Sequence, residues 1–580
     1  MDVTHIVGSN AITKSVNYPV AFILVNNRKD FATFYNTPQS RYEGFFVMQG
    51  DIFFKTLSRI ICQDVPSSFE FYQGKGLTVV KCGQQSATFM IAKDEPALVF
   101  EASTKSDLTV RLDMRHQFYI PQWGREYHFY EDGEAVVVRY SDDYFIEPIF
   151  MAILHDGKFQ PLKNWVLIEY ERDRQRNSEP TTIYEYDLGK FNAKKLVFAF
   201  GISETEALAR ARRYSNFSCI DNLITKPTKP TKPREAGDGA HKEAVDIAKA
   251  YAKDSLNDLF IKDRMLAGMP WFTKPWVRDE LISVPALPKQ KARAIISKYV
   301  HASWNGGKLP VIFGGTNCCS DGLGLLAWAI LFSGISLGKQ EREILASKVI
   351  NSIQLLEETE NEYGFIPSEE KESWMDSIGR AGYPLETQAL YSKAIHLAYV
   401  LTGSCCYEEK RQGLLASIRK HYFADGYLYD RLFDKTIRPN VFLASFFAPE
   451  ILSKEEWMAC FDRVLPSLWL KWGGLSSIDI YDKRFCPVSA GESDISYHNG
   501  DSWFFVNNIA ALVLYNLDRK KYADYIGSIL NASTEEILWH NYIGRPGEIS
   551  SAQALESWGC GLQGFSAAAY IYLTKRLSLW

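Results

Sequence analysis

Nowhere in this 580-residue chain does an apolar run reach the ~18 residues that a bilayer-spanning helix needs. The longest candidate, Gly322 to Leu337, reads as a buried helix. Met1-Asp-Val-Thr-His has no basic stretch followed by an apolar one, so no signal peptide is expected. An excess of one charge is missing too: 65 Lys and Arg stand against 69 Asp and Glu, a net −4. That balance offers no electrostatic footprint for nucleic acid or an anionic membrane, and neither is an expected partner. Ten cysteines occur without metal-ligand spacing, and the pairs Cys318-Cys319 and Cys405-Cys406 lack the intervening residues of a CxxC site. Free, mostly buried thiols in a reducing cytoplasm are expected. His498 has no second ligand at helical spacing, so no zinc site is expected. No strong internal repeat is present.

Aromatic residues are plentiful: 31 Tyr, 35 Phe and 14 Trp. Large cores account for most of them, and a handful of tryptophans beside carboxylates point to sugar stacking. The length exceeds what one hydrophobic core organises, so a multidomain β + α chain is expected. Residues 1–223 read as strands: Phe45-Phe-Val-Met, Leu77-Thr-Val-Val, Ala97-Leu-Val-Phe, Leu108-Thr-Val-Arg-Leu and Ala135-Val-Val-Val-Arg-Tyr. Turn signals at Glu131-Asp-Gly and His155-Asp-Gly separate some of them, and many short strands suggest an N-terminal antiparallel β-sandwich. Ser203 to Tyr214 looks helical, with Ser203 as its cap. Residues 224–240 carry proline at every third position, which blocks helix and sheet and favours an extended linker. Residues 241–580 then turn helical, with three- and four-residue apolar spacing over Thr387 to Thr402 and similar stretches from Trp503, Lys521 and Gly561. That length accommodates a dozen helices of ~11–12 residues. A closed barrel of helix pairs and a stacked solenoid both fit.

Four segments carry chemistry. In Gly268-Met-Pro-Trp-Phe-Thr-Lys-Pro-Trp-Val-Arg-Asp, the rings Trp271, Phe272 and Trp276 crowd Arg278 and Asp279, a donor and an acceptor for sugar hydroxyls. In Glu372-Ser-Trp-Met-Asp376, followed by Glu386, Trp374 supplies an apolar wall beside an acid. Ser496-Tyr-His-Asn-Gly-Asp-Ser-Trp503 is a polar, glycine-hinged loop running into an apolar helix. Gly544-Arg-Pro-Gly-Glu-Ile-Ser is a tight loop that holds Glu548, with Glu556 as a competing carboxylate. Paired acids beside indole faces are what glycosidic cleavage needs: one protonates the leaving oxygen and one activates water.

In this order the segments resemble the amylo-α-1,6-glucosidase part of glycogen debranching enzymes, relatives of glucoamylases. The resemblance covers about residues 241–580 and, loosely, a sandwich segment at Arg41-Tyr-Glu-Gly-Phe-Phe-Val. It rests on Trp276, Arg278 and Asp279, on Trp374-Met375-Asp376, and on Tyr497, His498, Asn499, Gly500 and Trp503. Val277 stands where that family usually has glycine, and Leu562-Gln-Gly-Phe-Ser replaces its usual Gln-Ala-Trp-Ser.

The resemblance implies an (α/α)6 barrel and an inverting site without metal or organic cofactor. Asp376 would be the acid and Glu548 the base. Arg278 and Asp279 would bind the terminal glucose within Trp271, Trp276, Trp374 and Trp503, with Asp321 and Glu386 contacting hydroxyls. The implied partner is glycogen or a derived oligosaccharide, and the implied reaction is release of glucose from α-1,6 branch stubs of limit dextrins. Within this length the large transferase domain of bifunctional debranching enzymes is not expected, nor is glucanotransferase activity. A glucoamylase- or trehalase-like hydrolase acting on α-1,4 or α-1,1 bonds, an inverting phosphorylase, and a non-catalytic glycan-binding protein are the rival readings.

Overall fold

The computed structural model describes residues 1–7, 10–62, 70–74, 77–82, 85–121, 123–143, 147–216 and 238–577. They form two compact units, Met1–Ile247 with Leu538–Gly544, and Ala248–Ile537 with Arg545–Trp580.

The first unit is a network of fifteen hydrogen-bonded strands among the described residues. Two 20-residue strands, Ala97–His116 and Thr182–Gly201, run through it and pair antiparallel, with a register slip between Glu101 and Ser106. On one side of the slip this pair is flanked by Gln85–Ile91 and Ile149–His155. On the other it is flanked by Ile52–Cys62 and Lys158–Glu169. Such an irregularity bends a strand and lets it serve two layers. The runs at Ala97 and Leu108, which read from sequence as separate strands, are therefore halves of one. Rings of the two layers meet where Phe22 and Phe34 each lie 5.2 Å from Phe89.

The pairing is not wholly antiparallel as expected, because Asp2–Val7 runs parallel to Glu70–Gly74. A parallel neighbour needs a long crossover, and residues 8–69 supply one. The helix Glu204–Arg213 forms as expected. Ser203 Oγ accepts the Glu206 N–H at 3.3 Å, and Ala207, Leu208 and Ala211 pack on Val137, Leu154 and Val197. Arg41 is buried, 3.4 Å from Asp173. The distant segment Leu538–Gly544 is stitched to the same unit: the Ala21 N–H donates to Asn541 O at 2.6 Å and the Ile543 N–H to Ala21 O at 2.9 Å. Of the expected linker, residues 224–237 lie outside the described residues, and 238–240 already belong to the helix Asp238–Leu259.

The second unit is helical. Six helices, Val277–Ser283, Gly322–Ser333, Leu385–Thr402, Asn440–Phe447, Phe504–Asp518 and Gly564–Leu577, each pack on the next, and the last packs on the first. They alternate along the chain with Asp238–Leu259, Lys289–His301, Lys339–Glu357, Cys405–Tyr422, Lys454–Leu468 and Ala523–Trp539. This closed ring of six with alternating partners is an (α/α)6 barrel, which removes the solenoid reading. The ring helices are buried on every side, as over Gly322–Ile330 and Phe504–Leu514, because neighbours cover all their faces. The alternating helices keep a polar face. Lys454–Leu468 opens with the Ser453/Glu456 capping box and buries Trp457, Phe461, Val464 and Leu465 at helical spacing. Gly334 and Gly403 end their helices at φ 62° and 71°, where a side chain would be strained.

The described cysteines are free, but only Cys319, Cys460 and Cys560 are buried, whereas Cys62, Cys405 and Cys406 are exposed. That corrects the expectation of mostly buried thiols: Cys405 and Cys406 fall in the solvent-facing first turn of an outer helix. Among the described residues no helix is long and apolar enough to cross a membrane.

Candidate active site

The ring helices begin around one cavity of about 920 Å³. Arg278 and Asp279 occupy the first turn of one, Asp321 precedes another, Glu386 is second in a third, Trp503 precedes a fourth and Gln563 the last. Helix N-termini carry partial positive charge and free N–H groups, which suits carboxylates and hydroxyls gathered there. Short two-residue ladders fix the loops. Gly268–Met269 pairs with Leu562–Gln563, and Ser502–Trp503 with Ile549–Ser550, which holds Glu548 beside the Tyr497 loop.

Arg278 organises one wall. Its Nε donates to Asp321 Oδ2 at 2.8 Å, Nη1 to Asp376 Oδ2 at 3.3 Å and Nη2 to the Glu372 carbonyl at 2.6 Å. Burial opposes the charge on Arg278, but Asp321 and Asp376 outweigh it and hold the guanidinium above its ordinary range. Asp376 is the more open of the two catalytic candidates, with 32% of its side chain exposed. His498 lies beneath it, 3.9 Å from Oδ1 and stacked on Trp503 at 4.8 Å; burial pushes its imidazole down to about 4. Trp374 stands edge-on to His498, Trp503 and Phe505, and its Nε1 donates to Asn440 Oδ1 at 2.7 Å.

Glu548 forms the other wall. It is buried, accepts the Tyr497 hydroxyl on Oε1, and accepts the Cys560 N–H on Oε2 at 2.9 Å. Burial, reinforced by nearby Glu492, pushes its carboxyl up to about 8. Asp279 accepts from Gln563 Nε2 at 2.7 Å, and burial pushes it up to about 7. Glu556 is exposed and does not line the cavity, so of the two carboxylates weighed for the base only Glu548 reaches it.

Beyond these, Phe272, Trp276, Asp321 and Glu386 also reach the lining. Trp271 does not. Asn499 and Gly500 turn away: Arg438 Nη2 donates to Asn499 Oδ1 at 3.0 Å, and a Cβ on Gly500 would sit 1.8 Å from the Cys486 carbonyl. His498 is buried behind the wall and does not line the cavity.

Several residues escape a reading of the sequence. Arg380 grips Glu386 at 2.6 and 3.2 Å and Asp430 at 2.9 and 3.1 Å, entirely buried. Asn440 joins Asp430 to Trp374, donating to the former at 2.7 Å. Burial pushes Arg438, next along this network, down to about 10. Glu369 to Glu372 form a charged rim, and Glu492 lines the cavity beside Glu548. Apart from Glu372, which opens the Trp374–Asp376 segment, these residues lie outside the four segments singled out in the sequence, and the closed ring brings them together.

Residues 349–572 match the family described as amylo-alpha-1,6-glucosidase. The match is under half of the chain. It includes Trp374, Asp376, Glu386, Tyr497, Trp503 and Glu548, while Arg278, Asp279 and Asp321 lie before it. No curated protein sequence matches the chain. Among solved structures, a glycosidase variant in complex with glucose is similar over 59% of this chain and 99% of its own, at 12% identity and a TM-score of 0.44. An uncharacterized conserved protein from Thermus thermophilus covers 57% and 99%, at 12% identity and 0.43. The GH63 mannosylglycerate hydrolase of that organism, solved with Tris and D-glycerate, covers 57% and 100%, at 11% identity and 0.43. The segment 349–572, which contributes Asp376 and Glu548 to the cavity, is thus similar to a glycoside-hydrolase family. By its description that family is the amylo-alpha-1,6-glucosidases.

Proposed function

We propose that the barrel releases glucose from α-1,6 branch stubs of glycogen-derived limit dextrins by an inverting hydrolysis. The observation that carries this reading is one cavity holding Asp376 and Glu548 with Trp276, Trp374 and Trp503. Asp376, the more open acid, donates its proton to the glycosidic oxygen as the bond to C1 breaks. Glu548 takes a proton from the water that forms the new bond to C1 on the opposite face, so the α-linkage yields β-glucose. Arg278 and Asp279 hold hydroxyls of the terminal sugar as donor and acceptor. Glucose release from phosphorylase limit dextrin, run beside maltotriose, isomaltose and trehalose, tests the substrate. The branched dextrin is expected to lead. Preference for maltotriose or trehalose moves the reading to a glucoamylase- or trehalase-like enzyme, and release from none of them sinks it.

The raised carboxyl of Glu548 sets a pH dependence. A base works ionised, and a group held up at about 8 is mostly protonated below that value. The expected kcat/KM therefore rises with pH through about 8, and Glu492→Gln, which removes a neighbouring negative charge, moves the rise to lower pH. A rise centred at ordinary carboxylate values and unmoved by Glu492→Gln contradicts this. The same observation favours a second assignment, with Glu548 as the acid and Asp376 as the base; a substrate whose leaving group needs no proton separates the two.

A further inference from the structure

A second depression, of about 550 Å³, is built from Ala381–Tyr383, the turn Arg431–Asp434, Thr436 and Arg484. The turn closes with the Asp434 N–H donating to the Arg431 carbonyl at 3.0 Å, and Phe433 sits third in it at φ 66°. That left-handed position ordinarily goes to glycine or asparagine. Phe433 is not there for packing, since it is 77% exposed. An exposed ring in a backbone that does not suit it points to a use for the ring face.

The polar groups around it narrow the ligand. Arg431 donates to Asp434 at 2.8 Å and to the Ala381 carbonyl at 2.8 Å. Arg484 donates to Asp482 at 2.7 Å and to Thr436 Oγ1 at 2.9 Å. Both guanidiniums are thus matched by carboxylates, so the depression has no surplus charge to attract an anion. It keeps guanidinium N–H donors, carboxylate acceptors and a hydroxyl around one aromatic face, which is the pattern a neutral, hydroxyl-rich ring satisfies. The depression also shares a loop with the catalytic cavity. Ser377 lines the cavity and Ala381 the depression, four residues apart, so these two positions are within about 14 Å.

We propose that this depression is a second carbohydrate-binding site, with Phe433 as its stacking platform, which holds a neutral oligosaccharide whose reacting end lies in the catalytic cavity. The proposal rests on the glycosidase reading for its ligand class. Its test does not depend on turnover. Maltoheptaose is titrated by calorimetry into the full chain carrying Glu548→Gln, and into the same chain with Phe433→Ala, Phe433→Tyr or Arg484→Ala added. Loss of the ring face is expected to weaken binding about tenfold. Tyrosine at 433 is expected to retain it, and Arg484→Ala to weaken it several-fold. In the otherwise unaltered enzyme, Phe433→Ala is expected to raise KM for long dextrins and leave maltotriose or isomaltose turnover unchanged. Equal maltoheptaose affinity with and without Phe433 and Arg484, or no binding at all, overturns the site. Absence of glucose release by the unaltered enzyme counts against the hydrolase reading instead.

Discussion

Asp376→Asn and Glu548→Gln are each expected to lower glucose release from limit dextrin by about 10²–10⁴-fold, the usual worth of a positioned acid or base. Both substitutions keep size and shape, so dextrin binding should be nearly unchanged. The two roles separate on α-glucosyl fluoride, because fluoride leaves without needing a proton. If Asp376 is the acid, Asp376→Asn keeps most of its activity on the fluoride while Glu548→Gln loses it. The reverse pattern exchanges the roles, as the buried, high-lying Glu548 carboxyl would allow. Full activity of both variants on limit dextrin would remove this cavity from the account.

The second large effect is structural. Arg380→Met is expected to destabilise the barrel by about 3–5 kcal/mol, the usual cost of removing one partner from a buried ionic cluster. The loss leaves Glu386 buried without its cation and Asp430 with only the more distant Arg438, at 3.8 Å. Urea unfolding followed by tryptophan fluorescence reads it, with the barrel transition treated separately from that of the β unit. Activity should fall at denaturant concentrations where the barrel is still folded, because Asp430 holds Asn440 and Asn440 holds Trp374. Replacing Arg380, Glu386 and Asp430 together with apolar residues of similar volume should recover much of the stability and none of the activity. A change below about 1 kcal/mol for Arg380→Met alone contradicts the role given to this network.

The parts of the site legible in sequence share one property. Arg278-Asp279, Trp374-Met-Asp376, Tyr497 to Trp503 and Glu548 each lie in a short segment, in a loop or first turn ahead of a buried ring helix, that sets a carboxylate near aromatic or glycine residues. The loops that start ring helices line the cavity, so polar and aromatic residues concentrate there and stand out against apolar runs. Arg380, Asp430, Arg438 and Asn440 carry no such local mark. Their meaning comes from partners up to 66 residues away, as where Trp374 donates to Asn440, and no periodicity encodes that.

The fold divides in the same way. Helix Glu204–Arg213 is legible from its cap, and Leu385–Thr402, Phe504–Asp518 and Gly564–Leu577 from their apolar spacing, because both signals are local. The single long strand Ala97–His116 reads as two because its polar middle, Thr104 to Ser106, interrupts the alternation where the strand changes layers. The return of Leu538–Gly544 to the β unit has no signal, since its partners, by backbone hydrogen bonds to Ala21 and by side-chain contacts of Trp539, His540 and Asn541, lie more than five hundred residues earlier.

The most direct test is the anomer of glucose first released from phosphorylase limit dextrin, followed by proton NMR before mutarotation blurs it. The account predicts β-glucose, abolished by Asp376→Asn and by Glu548→Gln. Release of α-glucose, or of no glucose from a folded chain, contradicts an inverting α-1,6-glucosidase in this cavity.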